Sequence, residues 1–314
     1  MILTVTPNPM LDKTLYVSKL AIGVTHRAQR SITIGGGKGI NVARALLQLG
    51  EKVLATGFLG GYMGEQVRKL LNDEKIPHGF VETNSPTRIG FTVFDETPAD
   101  YTAVFEPGPQ LVAAEVERLV EKVCQLLPRC KALALCGSMP GAGFDDLYFR
   151  LIRAAREMNV PVFLDSYKEP LRRGLAAQPN FLKPNRDEAL QTFGIDIREP
   201  RGMKAMLREL AQTGAQWIFL TDGERPVGVY AEGQCFRVTP PPINYVNGLG
   251  SGDAMVGAFL FGWLRKMRPE DLICFTVAAG AVNAEEFMPG FADLPRIQNI
   301  AKRVKTECET LVSP

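Results

Sequence analysis

The chain has 314 residues, 46% apolar and 22% charged, with 36 basic residues against 34 acidic ones for a formal charge of +2. These are the proportions of an ordinary globular protein, long enough for one large α/β domain or two smaller ones. The balanced charge argues against a nucleic-acid or acidic-membrane partner, and two histidines, His26 and His78, argue against histidine-rich metal sites and His-based triads.

Ile2 to Thr6 is a β-branched run closed by Pro7-Asn8-Pro9, which predicts a strand feeding a loop that contains Asp12. Residues 16–31 alternate weakly, as short strands would. Gly35-Gly36-Gly37-Lys38-Gly39 then opens an amphipathic helix with Ala43, Leu46 and Leu47 on one face and Gly50 as its stop. A strand at 52–59 and a helix at 63–74 follow. Period-two runs at 87–95 and 101–106 flank a turn at 96–100, a hairpin and not a βαβ unit. Pro107-Gly108-Pro109 breaks the chain before a helix at 113–127.

Apolar strands at 132–136, 160–165, 181–183 and 217–221 alternate with helical stretches such as 144–158, 187–193 and 203–213. That pattern predicts a parallel sheet covered on both faces. A hairpin at 227–231 and 234–238 precedes Gly248-Leu249-Gly250-Ser251-Gly252-Asp253 and two apolar helices. An amphipathic helix at 297–310 is expected to close the chain. The β-rich segments, about 12–35 and 86–107, read as a small lid on this α/β body. The six cysteines form no C-x-x-C pair and read as reduced core thiols. The N-terminus has no basic n-region and no apolar run reaches membrane length, so a cytoplasmic location is expected.

Neither glycine cluster is a P-loop or a dinucleotide fingerprint; the spacings are wrong. Glycines at a helix start can nonetheless turn backbone N–H groups toward an anion. Asp253 then reads either as an N-cap or as a base. Polar residues end successive strands at Gly137-Ser138, Asp165, Lys183-Pro184-Asn185 and Thr221-Asp222-Gly223, where the crevice of a parallel sheet lies. Asn185 and Glu188, three apart at a helix start, fit a capping pair first and support for a hydrated Mg²⁺ second. Taken alone, Asp12 reads as a turn residue and Arg88 as a solvated edge-strand residue.

Gly35-Gly36-Gly37-Lys38-Gly39-Ile40-Asn41-Val42-Ala43-Arg44-Ala45, Lys183-Pro184-Asn185-x-x-Glu188 and Gly250-Ser251-Gly252-Asp253-Ala254 stand in this order over essentially the whole chain. Together they closely resemble the ribokinase-like, phosphofructokinase-B family of sugar kinases. Thr4-Val5-Thr6-Pro7-Asn8-Pro9-x-x-Asp12, Gly57-Phe58-Leu59-Gly60-Gly61, Thr87-Arg88 and Glu106-Pro107-Gly108-Pro109 are similar to its 1-phosphofructokinase and tagatose-6-phosphate kinase branch.

The resemblance implies a three-layer α/β/α ribokinase-like fold, with a mostly parallel central sheet and a small β-sheet lid, in one kinase domain over residues 1–314. It implies ATP and Mg²⁺ as cofactors, a ketohexose phosphate as acceptor (fructose 1-phosphate ahead of tagatose 6-phosphate and fructose 6-phosphate), and a homodimer formed through the lid. Asp253 becomes the general base, with the N–H groups of Gly250, Ser251 and Gly252 as the anion hole. Lys183, Asn185, Thr221, Gly223 and Asn283 fall on the nucleotide side, and Asn185 and Glu188 organise the Mg²⁺ through water. Asp12, Gly36, Gly37, Lys38, Asn41 and Ser138 fall on the acceptor, with Arg88 and Arg27 on its phosphate.

Three stretches depart from the branch pattern: Asn247-Gly248-Leu249-Gly250 lacks a threonine, and Asp165-Ser166-Tyr167-Lys168 and Phe105-Glu106 differ on the acceptor and lid side. Kinases of an unphosphorylated sugar or a nucleoside, and a non-catalytic sugar-phosphate sensor, are the alternatives. An NAD-dependent oxidoreductase fails on glycine spacing.

Overall fold

The structure, a computed structural model, describes residues 1–97, 100–141, 143–199 and 201–309. In chain order, β1 (Ile2–Thr6), β2 (Met10–Val17) and β3 (Arg30–Gly36) lead into α1 (Lys38–Gln48), β4 (Val53–Leu59), α2 (Gly61–Asp73) and β5 (Val81–Glu82). The hairpin of β6 (Arg88–Asp95) and β7 (Asp100–Phe105) precedes α3 (Ala113–Leu126). Then come β8 (Ala132–Cys136), α4 (Leu147–Glu157), β9 (Val162–Asp165), α5 (Lys168–Ala176), β10 (Phe181–Leu182), α6 (Arg186–Phe193), α7 (Gly202–Ala211) and β11 (Trp217–Leu220). β12 (Val227–Ala231), β13 (Gln234–Thr239), α8 (Ser251–Leu264), α9 (Pro269–Ala284), α10 (Leu294–Ala301) and β14 (Lys305–Glu309) complete the described chain.

The central sheet runs β14-β13-β12-β11-β10-β9-β8-β1-β4-β5, parallel from β11 to β5 and antiparallel from β12 to β14. Its strands are apolar on both faces because both are covered. Ile2, Ala132, Ala134 and Cys136 pack toward one set of helices and Leu3, Val5, Leu133 and Leu135 toward the other, which gives the three layers. α8 is apolar all round for the same reason. One side meets the sheet, where Phe259 is ringed by Phe163, Phe181, Trp217 and Phe219 at 5.0–5.6 Å between centroids. The other carries Ala258 and Phe261 into an outer cluster with α9 and α10. The N-terminus of α8 is thereby held rigidly at the carboxyl edge of the sheet.

The second sheet, β3-β2-β6-β7, is the expected lid. It changes two expectations: residues 18–29 form a mostly exposed connection and not short strands, and Asp12 lies within β2, paired with Ile34 of β3 and Gly90 of β6, and not in a loop. The proline pair before it ends β1, but backbone partners on both sides then draw the next residues into a strand. Residues 98 and 99 of the expected 96–100 turn lie outside the described residues.

The C-terminal segment differs as well. α10 stops at Ala301, and residues 305–309 form β14 on the antiparallel edge of the sheet, Phe236 opposite Cys308. The open edge of β13 offers a ladder of hydrogen bonds that outweighs helix propensity, and the charged Lys305, Glu307 and Glu309 suit an edge strand. Thr310, the expected end of that helix, lies outside the described residues. All six cysteines are free thiols; Cys136 and Cys235 are core residues, whereas Cys308 is exposed. No described helix is long and apolar enough to cross a membrane.

Candidate active site

Asp165 ends β9 and is fully enclosed. Its carboxylate lies 2.6 Å from Lys38 Nζ, which comes from the first turn of α1, and 3.0 Å from Lys183 Nζ, which follows β10. Burial alone would raise the Asp165 pKa, but Lys183 and Lys38 outweigh it and hold the carboxyl below its ordinary value. Lys38 also pairs with Glu188. Burial works against its charge, but Asp165, Glu188 and Asp253 raise the pKa well above that of an ordinary lysine. Two of its three ammonium protons are thus used by protein carboxylates, and one donor remains for a ligand.

Asn185 and Glu188 form the reciprocal capping box of α6. Asn185 Oδ1 accepts from the Glu188 N–H and Glu188 Oε2 from the Asn185 N–H, both at 2.9 Å. Among the described residues no group of three or more His, Cys, Asp or Glu side chains could hold a metal directly. A single carboxylate beside an amide is a donor set that can also hold a divalent ion through its waters.

The N-cap of α8 is Gly250, with φ +76°, so Asp253 stands in the first helical turn and does not cap it. The N-cap reading of Asp253 fails. Its Oδ2 accepts from Asn41 Nδ2 at 2.8 Å. Burial, with the Asp165 charge adding, pushes its pKa from 3.8 up to about 6, against the pull of Lys38, the Asn41 hydrogen bond and Lys183. A carboxyl poised there is suited to take a proton near neutral pH.

Of the three expected anion-hole donors, the Ser251 N–H is returned to Gly248 O at 3.2 Å. Those of Gly250 and Gly252 bond to no backbone carbonyl among the described residues. Lys183 stands over them: a Cβ on Gly252 would come 2.8 Å from its Nζ. Two free donors, a helix N-terminus and an ammonium are the groups that suit an anion. A Cβ on Gly250 would lie 2.6 Å from Gly290 N, at a positive φ. Gly250→Ala is therefore expected to displace the loop and lower kcat about 5–150-fold, the rate equivalent of 1–3 kcal/mol of backbone strain, in a steady-state assay.

Asn283 is fully enclosed, and its amide is used within the protein. Nδ2 donates to Leu249 O (2.8 Å) and Ser251 Oγ (3.0 Å), and Oδ1 accepts from Phe291 N (2.9 Å). The amide braces the loop from behind. Asn247 braces the same loop: its Oδ1 accepts from the Leu249 N–H, and its Nδ2 donates to Phe287 O. Thr221 is tied by backbone to Pro184 and Asn185, and Gly223 (φ +58°) lies in the exposed turn beyond it.

On the lid side Gly36 lies against Asp12, where a Cβ would come 2.6 Å from the Asp12 Cβ, and Gly37 (φ +123°) caps α1 beside Thr6. Arg88 Nη2 donates to Asn8 O at 3.1 Å, and Asn8 Nδ2 to Ser138 Oγ at 3.1 Å, which links the lid to the end of β8. Burial raises the Asp12 carboxyl to about 6, with Arg44 and Arg88 opposing. Burial lowers the Arg88 pKa, with Tyr167 and Asp12 supporting its charge. Asp12 Oδ1, Arg88 Nε and Asn8 Oδ1 are all buried without a partner, an arrangement that invites a polar ligand. Arg27 is not part of this cluster: it lies on the exposed connection between β2 and β3, without a partner among the described residues.

The fold therefore gathers Asn41, Lys38, Lys183, Asn185, Glu188 and Asp253 around one crevice, with Asp12, Gly36, Gly37, Arg88 and Ser138 along its lid side. Asp165, a strand-end carboxylate without an assigned role in the sequence reading, is the hub of the charges. A lone Asp closing the apolar run Val162-Phe163-Leu164 was its only local signal.

Residues 9–295 match the pfkB family of carbohydrate kinases. A Thermotoga maritima protein described as a possible 1-phosphofructokinase is 26% identical with a TM-score of 0.91, over 99% of this chain and 100% of that one. Phosphofructokinase-2 from Escherichia coli is 28% identical with a TM-score of 0.86, over 96% of this chain and 98% of that one. Arabidopsis thaliana ribokinase, solved with ribose and ATP, shares the fold at 17% identity and a TM-score of 0.74, over 96% and 98% of the two chains.

Proposed function

Because the chain belongs to the pfkB family of carbohydrate kinases, we propose that it transfers the γ-phosphate of ATP to a hydroxyl of a ketohexose phosphate, with fructose 1-phosphate the favoured acceptor and fructose 1,6-bisphosphate the product. Asp253 takes the hydroxyl proton, and the free N–H groups of Gly250 and Gly252, with Lys183, receive the charge of the transferring group. Such positioning and charge stabilisation supply most of what phosphoryl transfer needs. Asp12 and Ser138 bind acceptor hydroxyls, and Asn41 supports the base. Mg²⁺, held through its waters by Glu188 and Asn185, supplies charge neutralisation on the phosphates when bound. The reading takes residues 1–314 as one kinase domain working in the cytoplasm.

The observation that carries the acceptor assignment is Arg88, a half-buried guanidinium with an unpaired Nε beside Asp12, Asn8 and the Tyr167 phenol. A guanidinium matches the two-oxygen face of a phosphate. Arg88→Gln should lower kcat/KM for the phosphorylated acceptor about 10–150-fold, the worth of a charge-assisted hydrogen bond of about 1.5–3 kcal/mol, and leave KM for ATP unchanged. An ADP-coupled assay across a panel of sugars and sugar phosphates tests the assignment. Turnover confined to unphosphorylated sugars would remove the role given to Arg88.

The lid is taken to pair with a second copy. Phe91 and Val104, directly opposite in the β6–β7 ladder, are 39% and 66% exposed on one face of the lid. An apolar sheet face of that kind calls for a cover. The phosphofructokinase-2 of E. coli, solved in a tetrameric inhibited form, sets a precedent for assembly.

A further inference from the structure

Arg44 is buried on α1 one turn beyond Asn41, and its guanidinium is bonded on every side. Nε and Nη2 grip the Glu74 carboxylate, the latter at 3.0 Å. Nη1 donates to Asn41 Oδ1 at 2.7 Å and to Pro289 O at 3.2 Å, and Nη2 to Gly35 O at 2.9 Å. A buried arginine that only filled space could take any carbonyls. These partners belong to three walls of the active site.

With Asn41 Oδ1 occupied by Arg44, only the amino group of that amide is left to face Asp253, and it does so at 2.8 Å. Gly35 is the penultimate residue of the lid strand β3, next to Gly36 and Gly37. Pro289 precedes Gly290, the residue against which Gly250 of the anion loop packs. One planar, forked cation thus fixes the base's hydrogen-bond partner, the lid exit and the backing of the anion loop relative to one another.

We propose that Arg44, anchored by Glu74, is a positioning residue of the phosphoryl transfer: it sets the orientation and donor strength of the Asn41 amide, and through it the aim and protonation of Asp253. The inference rests on the reading of Asp253 as the base. A polarised amide donates more strongly, and donation to the ionised carboxylate favours that form. The charged groups around Asp253 are Lys38 from α1, Asp165 from β9 and Lys183 after β10, none of which Arg44 touches. Asp12 of β2 lies within reach of the Arg44 charge by a separate route.

The test is a double-mutant cycle in the full-length protein with Arg44→Met, Asn41→Ala and the pair, with Arg44→Lys and Glu74→Gln as milder variants. kcat, both KM values, Tm and the midpoint of the acid limb of kcat are read for each. Arg44→Met should lower kcat about 10–100-fold, the cost of a base misplaced by about an ångström, with KM for ATP within about twofold of wild type. Its acid-limb midpoint should move to higher pH, and Arg44→Lys should recover part of the loss. In the Asn41→Ala background, Arg44→Met should shift kcat and midpoint no further. If Arg44→Met does not fold, Glu74→Gln should show a smaller shift in the same direction. Additive losses, or a lower Tm with an unmoved midpoint, would overturn the inference. Asp253→Asn inactive beside Arg44→Met with wild-type kcat and midpoint would overturn it alone; Asp253→Asn with wild-type kcat would overturn the base assignment as well.

Discussion

Asp253→Asn is expected to lower kcat about 10²–10⁴-fold, the span typical of a lost general base, while both KM values stay near wild type. The geometry permits this clean separation. Asparagine fits the same space in the first turn of α8 and still accepts from Asn41 Nδ2, so the anion loop should keep its form. The pH profile should carry the same signature. With Asp253 at about 6 in the field of Asp165, Lys38 and Lys183, activity rises with pH through an acid limb near that value.

Stability should move the other way. The folded pKa is raised above 3.8, so the carboxyl favours the fold fully below that value and its contribution is lost as pH rises through about 6. At pH 7.5 the wild type holds a buried, ionised Asp253 at a cost, and Asp253→Asn should melt at higher temperature. The gap should close as pH falls toward 4. A thermal scan at the two pH values checks it. A stabilising loss of function is the mark of a residue kept for chemistry.

Asp165→Ala should have the largest effect on folding. It removes the carboxylate between Lys38 and Lys183 and leaves two ammonium groups facing each other inside the protein. Breaking a buried pair in this way costs about 3–5 kcal/mol, because a charge is left without compensation. The loss should appear in urea unfolding as a lower midpoint with an unchanged slope. Adding Lys183→Met should return part of it, although activity stays low because the anion loop has lost its ammonium. The pH dependence has the opposite sign from that of Asp253. The Asp165 carboxyl is held below its ordinary value, so its contribution is present above about 4 and is lost on acidification.

Local signals carried the layered architecture. Apolar strands such as 132–136, read from their run length and the turn residues around them, stand where expected, and Gly50 stops α1 with φ +82°. The Asn185–Glu188 pair was readable because a capping box is a local device, complete within four residues. What failed locally was decided by distant partners. Asp12 follows two prolines and looked like a turn residue until β3 and β6 supplied its ladder. Residues 305–309 carry nothing that outweighs a helical reading until β13 offers an edge.

The site divides along the same line. The N-cap reading of Asp253 turned on whether Gly250 or Asp253 begins α8, a matter of backbone geometry at one residue. Lys38 lies in a glycine-rich motif that suggested the acceptor, but its ammonium is directed by Asp165 and Glu188, 127 and 150 residues away in sequence. Asn283 was assigned to the nucleotide, and only its three hydrogen bonds show that it braces Leu249, Ser251 and Phe291. Arg44 had no assigned role, because an arginine within an amphipathic helix gives no sign of what it will hold.

The most direct measurement is the initial rate of ADP formation at saturating Mg-ATP as fructose 1-phosphate is varied, with wild type and Asp253→Asn run side by side. The wild type should show a saturable, fructose 1-phosphate-dependent rate and a product carrying two phosphates, and the variant a rate about 10²–10⁴-fold lower. A wild-type rate that ignores the sugar phosphate, or a variant that matches the wild type, would contradict the proposed function.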